Sequence, residues 1–401
     1  EGIELKGMNN SQKPDFKIKK VQLTGILPDG AANLSVQDMV LNLPKLHLTL
    51  SEDQLKAENL TLLVPHTTVQ LKNRFPKAME MRLSLGAKNI RIRGKQPVQL
   101  DEFRISSLNM TIKDLASSPE ALWGVAGRFT IEESGVLSGI RLPPHNDGTN
   151  HLSHRFKTHI ELPSAPEARV ILAEANLAAA PLKMSAILPR PLKEGVTLNG
   201  LLKDVLITRL SPLSLDVGHL EADIHAGDFL ELHVQGAALD SGMKTFRTEG
   251  SIGVDLDQAL KLAPAALTPK GRFTGRVETN WQLQGRRPTD KEIAGLTDNT
   301  LSLEKRLQHG GFLEKLDLKT QLKNMAVTLP LDSGETLSVQ GIHSVSPFKI
   351  NTANGLESVS ILGELKVDKI KALPLLGKLK APLSAGLSFN AVSRDLNSLE
   401  L

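Results

Sequence analysis

From Lys17 to its last residues the chain alternates aliphatic and polar side chains with a period of two. Ile224, Ala226, Leu230, Leu232 and Val234 carry the pattern, as do Phe273, Val277, Trp281 and Leu283, and then Leu316, Leu318, Leu322 and Ala326. Successive side chains of a strand point to opposite faces, so such runs give every strand one apolar and one wet face. Sustained over 401 residues, the alternation predicts a long antiparallel sheet. Function should then depend on what covers its apolar face.

Composition sharpens that expectation. Hydrophobic residues make up 40% of the chain, enough to bury a large surface, yet aromatics are only 3% and tyrosine is absent. A β-sandwich of this size ordinarily fills its core with aromatic rings. Here Leu, Ile, Val and Ala must do so, and a smooth aliphatic face suits alkyl chains as well as a second sheet. With no cysteine, disulfides, thiolate catalysis and Cys-type zinc sites are excluded. The net charge of +4 is mild. The densest basic run, Lys17, Lys19 and Lys20, interleaves with Phe16, Ile18 and Val21 as the wet side of a strand, so nucleic acid is not an expected partner.

Turn residues punctuate the strand-like runs. Pro28, Asp29 and Gly30 divide the first pair; Gly86 and Gly94 close later ones. A phase slip between Ile105 and Leu108 predicts a bulge. Ser118, Pro119 and Glu120 predict a short helical turn, and residues 143–154, rich in Pro, Asn, Asp, Gly and His, an exposed loop. Turns are expected near Gly218, Gly227 and Gly242, and a brief helix at residues 257–262. The best helix signal starts at Thr289 or Asp290, with Ile293, Leu296, Thr300, Leu303 and Leu307 on one side, and stops at Gly310 and Gly311. The expected organisation is therefore a repetitive β segment over residues 1–288, a helical insertion at 289–311 and further sheet over 312–401. About 20–25 strands at ~4.8 Å spacing must curl, or cover their apolar face with something else. The predicted fold is all-β: a long curled antiparallel sheet forming an open groove, with a few short helices.

Residues 250–289 carry a distinctive cadence. A strand leads into the short turn DLDQALKLAPAAL; a G-x-F-x-G-x-V strand follows, then W-x-L-x-G-R before a proline. Residues 194–256, opening V-x-L-N-G-L-L-K-D-V and continuing with L-x-L-x-V-x-G, are similar in texture. This resembles the AsmA-like family of bacterial envelope proteins, the relatives of TamB and YhdP that form repeating β-groove lipid transfer proteins. The resemblance implies a groove lined by aliphatic side chains and no catalytic residues. It also implies a periplasmic location, with anchoring in the inner membrane by a segment outside this chain. The partners implied are phospholipids, the inner and outer membranes, and possible further envelope proteins, in outer-membrane biogenesis and homeostasis.

Few residues carry the pattern of a catalytic or metal centre. His145, His151, His154 and His159 cluster in sequence, but no HExxH motif accompanies them, and a metal centre needs three or four converging ligands. His219, His225 and His233 sit at wet-face spacings. There is no G-x-S-x-G elbow, and acidic pairs such as Glu132 and Glu133 lack the aromatic platforms of a glycosidase. The sequence therefore predicts no enzyme, cofactor or metal. Arg272, Arg276, Arg286 and Arg287 form either ordinary charge on a sheet face or a cationic rim for lipid phosphate. The expected groove lining is Leu230, Leu232, Val234, Ile252, Val254, Phe273, Val277, Trp281, Leu316 and Leu318. A structural or adhesive β-solenoid with a dry core and no lipid cargo is the other reading.

Overall fold

The computed structural model describes residues 15–24, 31–50, 53–72, 75–93, 97–142, 145–183, 192–210, 213–239, 245–262, 271–286, 289–298, 309, 311–330, 336–353, 358–371 and 383–393. They form one open antiparallel sheet of seventeen strands with two short helices. The all-β expectation holds. The predicted turns at Pro28–Gly30 and Gly242, the helical positions Thr300, Leu303 and Leu307, and Arg287 lie outside the described residues.

Two compact units divide the chain, Glu1–Ser214 and Leu215–Leu401. The first carries β1 (Asp15–Thr24), β2 (Ala31–Leu50), β3 (Asp53–Lys72), β4 (Phe75–Arg93), β5 (Val98–Ser117), β6 (Val125–Leu142), β7 (His145–Leu162), β8 (Ala168–Ala179) and β9 (Val196–Leu210). The second is built from β10 (Leu213–Ala226), β11 (Leu230–Leu239), β12 (Thr245–Asp255), α1 (Leu256–Leu262), β13 (Arg272–Arg286), α2 (Asp290–Thr297), β14 (Leu313–Pro330), β15 (Thr336–Ala353), β16 (Ser358–Lys371) and β17 (Leu383–Ser393). Within each unit every strand pairs antiparallel with the next, a simple meander.

The strands are fewer and longer than the sequence suggests, because several apparent strand ends are phase changes inside one strand. Among the described residues, six non-glycine residues have positive φ: Asp38, Asn59, Asn89, Asp114, Asp204 and Asn324, at 48° to 56°. All are Asn or Asp, the side chains that tolerate the left-handed region best. Each follows an apolar residue by two positions and immediately precedes another, as in Ala57-Glu-Asn59-Leu60 and Ala87-Lys-Asn89-Ile90. Gly139 and Gly341, also at positive φ, occupy the same pattern. The reversal brings apolar residues three apart onto one face: Ala57, Ala87 and Ile90 form a core cluster against which Leu60, Ile92 and Phe103 pack. It also explains two prolines inside central strands. The β2–β3 ladder is interrupted where Pro65 faces Asp38 and where Pro44 faces Asn59, so neither missing N–H removes a ladder bond.

Other expectations need correction. The predicted bulge exists, with a register shift between Ile105 and Ser107. Residues 145–154 are not a loop but the first half of β7, paired with β6; backbone pairing needs no apolar side chain. Gly218 lies within β10, whereas Gly227 does form a turn at φ 49°. Ser118 to Gly124 makes successive tight turns, Ala121 N–H donating to the Ser118 carbonyl at 3.0 Å and Gly124 N–H to that of Ala121 at 3.0 Å, with no helix. α2 begins as predicted, with Thr289 and Glu292 in a reciprocal capping box, but ends at Thr297 because Asp298 is extended.

No helix among the described residues is long and apolar enough to cross a membrane. No large side chain among them is fully buried either. The most buried apolar residues are mainly small: Ala57, Ala87, Ala121, Ala126, Ala168 and Ala226, joined by Val64, Ile90, Leu162, Leu192, Val205 and Val217.

Candidate functional site

Ladder registers define the apolar face. In the first unit one row runs Leu34, Val69, Met79, Ile112, Phe129, Ile160, Val170 and Val205, one residue from each strand of β2 to β9. In the second unit the row Ala222, Val234, Gly250, Trp281, Leu318, Ile350, Ile361 and Ala391 crosses β10 to β17.

All ten residues expected to line a groove fall on this face of β11 to β14. Leu230, Val254 and Val277 share a register row, Leu232 and Ile252 the next, and Val234, Trp281 and Leu318 the one after. Leu316 faces Leu283, and Phe273 faces Val327. Every one of the ten is partly exposed, as an aliphatic sheet face without a sealing layer requires. Val327 and Phe246 also belong to this face though the sequence pattern did not single them out, Leu283 joins them as the alternation indicates, and Ala326 does not lie where the alternation puts it. The register shift at Asn324 pairs Ala326 with Thr274, on the same side as Arg276 and Lys323. The Asn at that position was the available signal.

Glycines opposite aromatics shape the face. Gly250 is the register partner of Trp281, and a Cβ added there would collide with the indole and with the His233 carbonyl. Gly285 lies opposite Phe246 in the same way. The indole therefore lies flat across a neighbouring strand. Two polar insets interrupt the aliphatic rows. Thr279 and Thr320 satisfy each other through their hydroxyls at 3.0 Å. Glu133 and His154, 15% and 8% exposed, are 2.6 Å apart, with the Phe156 ring 5.6 Å from the imidazole. Each inset is internally hydrogen-bonded, which is what lets polar groups sit among hydrocarbon.

The opposite face is polar and cross-linked by charge. Arg276 donates to Glu231 at 2.5 Å and to Glu278 at 3.0 Å, and Lys323 also binds Glu278. The Lys323 hydrogen bond, with help from Arg276, holds the Glu278 carboxyl below its ordinary range, and Glu231 raises Arg276. Arg272 lies 3.5 Å from Asp257, and Arg286 donates to Glu292 at 2.5 and 3.0 Å. These three arginines thus have carboxylate partners within the protein, which favours ordinary face charge over a cationic rim.

Of the four clustered histidines, His154 belongs to the inset described above, while His159 lies across the sheet from it, paired in register with Thr130. A different set converges on the polar face: Glu221 and Asp223 of β10 with His233 of β11. Comparison with protein-family models, with curated proteins and with solved structures finds no match.

Proposed function

We propose that the aliphatic face binds the acyl chains of lipids and that the protein passes phospholipid along it between the inner and outer membranes of a bacterial envelope. The observation that carries this reading is that the aliphatic lining of β11 to β14, Leu230, Leu232, Val234, Ile252, Val254, Val277, Trp281, Leu316 and Leu318, stays partly exposed, and that no large side chain among the described residues is fully buried. Such a surface in water calls for an apolar cover. The resemblance of residues 250–289 to the AsmA-like family supports the same reading and implies a periplasmic location. Acyl chains match the cover required, since each methylene removed from water contributes about 0.8 kcal/mol. Rows of similar aliphatic residues hold tails without a deep trap, so a lipid can move along them while its headgroup stays in water.

Extraction of the purified chain tests this directly. Phospholipid should co-purify with it. Leu232→Asp or Val277→Asp should leave the far-UV circular dichroism unchanged and remove the bound lipid. A lipid-free wild-type protein, or global unfolding caused by either substitution, would instead indicate a dry, sealed scaffold.

A further inference from the structure

Strand β10 places His219, Glu221 and Asp223 at alternate positions, on the face that also carries His233 of β11. A tight turn at residues 227–229 joins the two strands, Phe229 N–H donating to the Ala226 carbonyl at 3.3 Å. One carboxylate oxygen each from Glu221 and Asp223 and one nitrogen of His233 lie within 4.8 Å of one another. His233 Nδ1 is 2.6 Å from Asp223 Oδ1, and His219 Nε2 is 3.5 Å from Glu221 Oε2. Donors held 2.0–2.2 Å from a tetrahedral ion stand about 3.3 Å apart, so small rotamer changes would bring the Glu221, Asp223 and His233 atoms into one shell, with His219 next in line through its contact to Glu221.

We propose that Glu221, Asp223 and His233, completed by His219, form a site for a divalent transition cation of the zinc type. The alternative, plain ion pairs, accounts for Asp223 with His233 and for Glu221 with His219, but leaves the two carboxylates converging on one another. Arg276, on the same face of β13, is held by Glu231 and Glu278, so its charge is already matched. A divalent ion neutralises both carboxylates at once. The mixed nitrogen and oxygen donor set suits zinc and its first-row neighbours. It is too poor in oxygen for calcium, which takes six to eight oxygen ligands. The ligands are 26% to 38% exposed. His233 also borders an open depression of about 280 Å³ with Gln235, Glu249 and Asn280, which gives a hydrated ion a route in. The site lies on the opposite side of the sheet from Leu232 and Val234, so it stands independently of the lipid reading.

The test is a zinc titration of the full chain, stripped with a chelator beforehand, in competition with a chromophoric zinc indicator. The wild type should take up one tight equivalent. Asp223→Asn with His233→Gln should weaken it at least about tenfold, and Glu221→Gln alone should weaken it too. His225→Gln, which alters a histidine outside the set, should not. Absence of saturable binding would overturn the proposal, and so would equal affinity in the wild type and the double variant, which would assign zinc to histidines elsewhere. Should the double variant lose its sheet signal, Glu221→Gln, which removes charge and little else, decides: unchanged affinity there overturns the site.

Discussion

Asn324 illustrates how single residues set the face of a strand. Its φ of 50° lets Leu322 and Val327 both align with the apolar rows while Ala326 turns away. A β-branched residue is strained in that region by about 1–2 kcal/mol, whereas glycine is not. Urea denaturation should therefore show Asn324→Val destabilised by about that amount and Asn324→Gly nearly unchanged. Equal stability of the two variants would contradict the assigned conformation. The same device at Asp38, Asn59, Asn89, Asp114 and Asp204 was readable in principle as apolar-x-Asn/Asp-apolar. It is hard to see in a single sequence because it breaks the alternation that announces a strand. Its neighbours therefore look like strand ends.

Among the elements, α2 has a pH-dependent foundation. Glu292 accepts from Arg286, from the Thr289 backbone N–H and from the Thr289 hydroxyl, and these contacts, Arg286 first, lower its pKa to about 2 from the ordinary 4.5. A carboxyl whose folded value is depressed stabilises the fold above its unfolded value, and that contribution fades as pH falls from 4.5 through about 2. Protection factors for the α2 amides, which compare exchange with the intrinsic rate at each pH, should fall over this window. In Glu292→Gln the acid-dependent change should be absent, since the amide keeps the cap geometry but does not titrate. An identical pH profile in the variant would contradict the assignment. The start of this helix was legible because a capping box is a local signal. Its end at Thr297 was not, since the apolar spacing of Ile293 and Leu296 continues past the point where Asp298 turns extended. Alternation across β11 to β14 was equally legible: nine of the ten lining residues lie in ladder stretches without a register shift, Leu230–Val234 against Gly250–Val254 and Val277–Leu283 against Leu316–Leu322, and Phe273 keeps the face of Val277 because the extra residue of the nearby shift sits in β14. Convergence of Glu221 and Asp223 with His233 depends on cross-strand register, which local spacing does not carry.

At the scale of the whole molecule, the central claim is that hydrocarbon guests rather than protein atoms cover the aliphatic face. The chain offers a clean optical test, having two tryptophans and no tyrosine. Trp281 lies on the aliphatic face, packed over Gly250, while Trp123 is 48% exposed in the turn before β6. In a Trp123→Phe variant the remaining emission comes from Trp281 alone. Loading that variant with phospholipid brominated along its acyl chains should quench the emission strongly, while the unbrominated lipid leaves it bright. Equal emission with both lipids, at concentrations where lipid is measurably bound, would show that the tails lie elsewhere and would contradict the account.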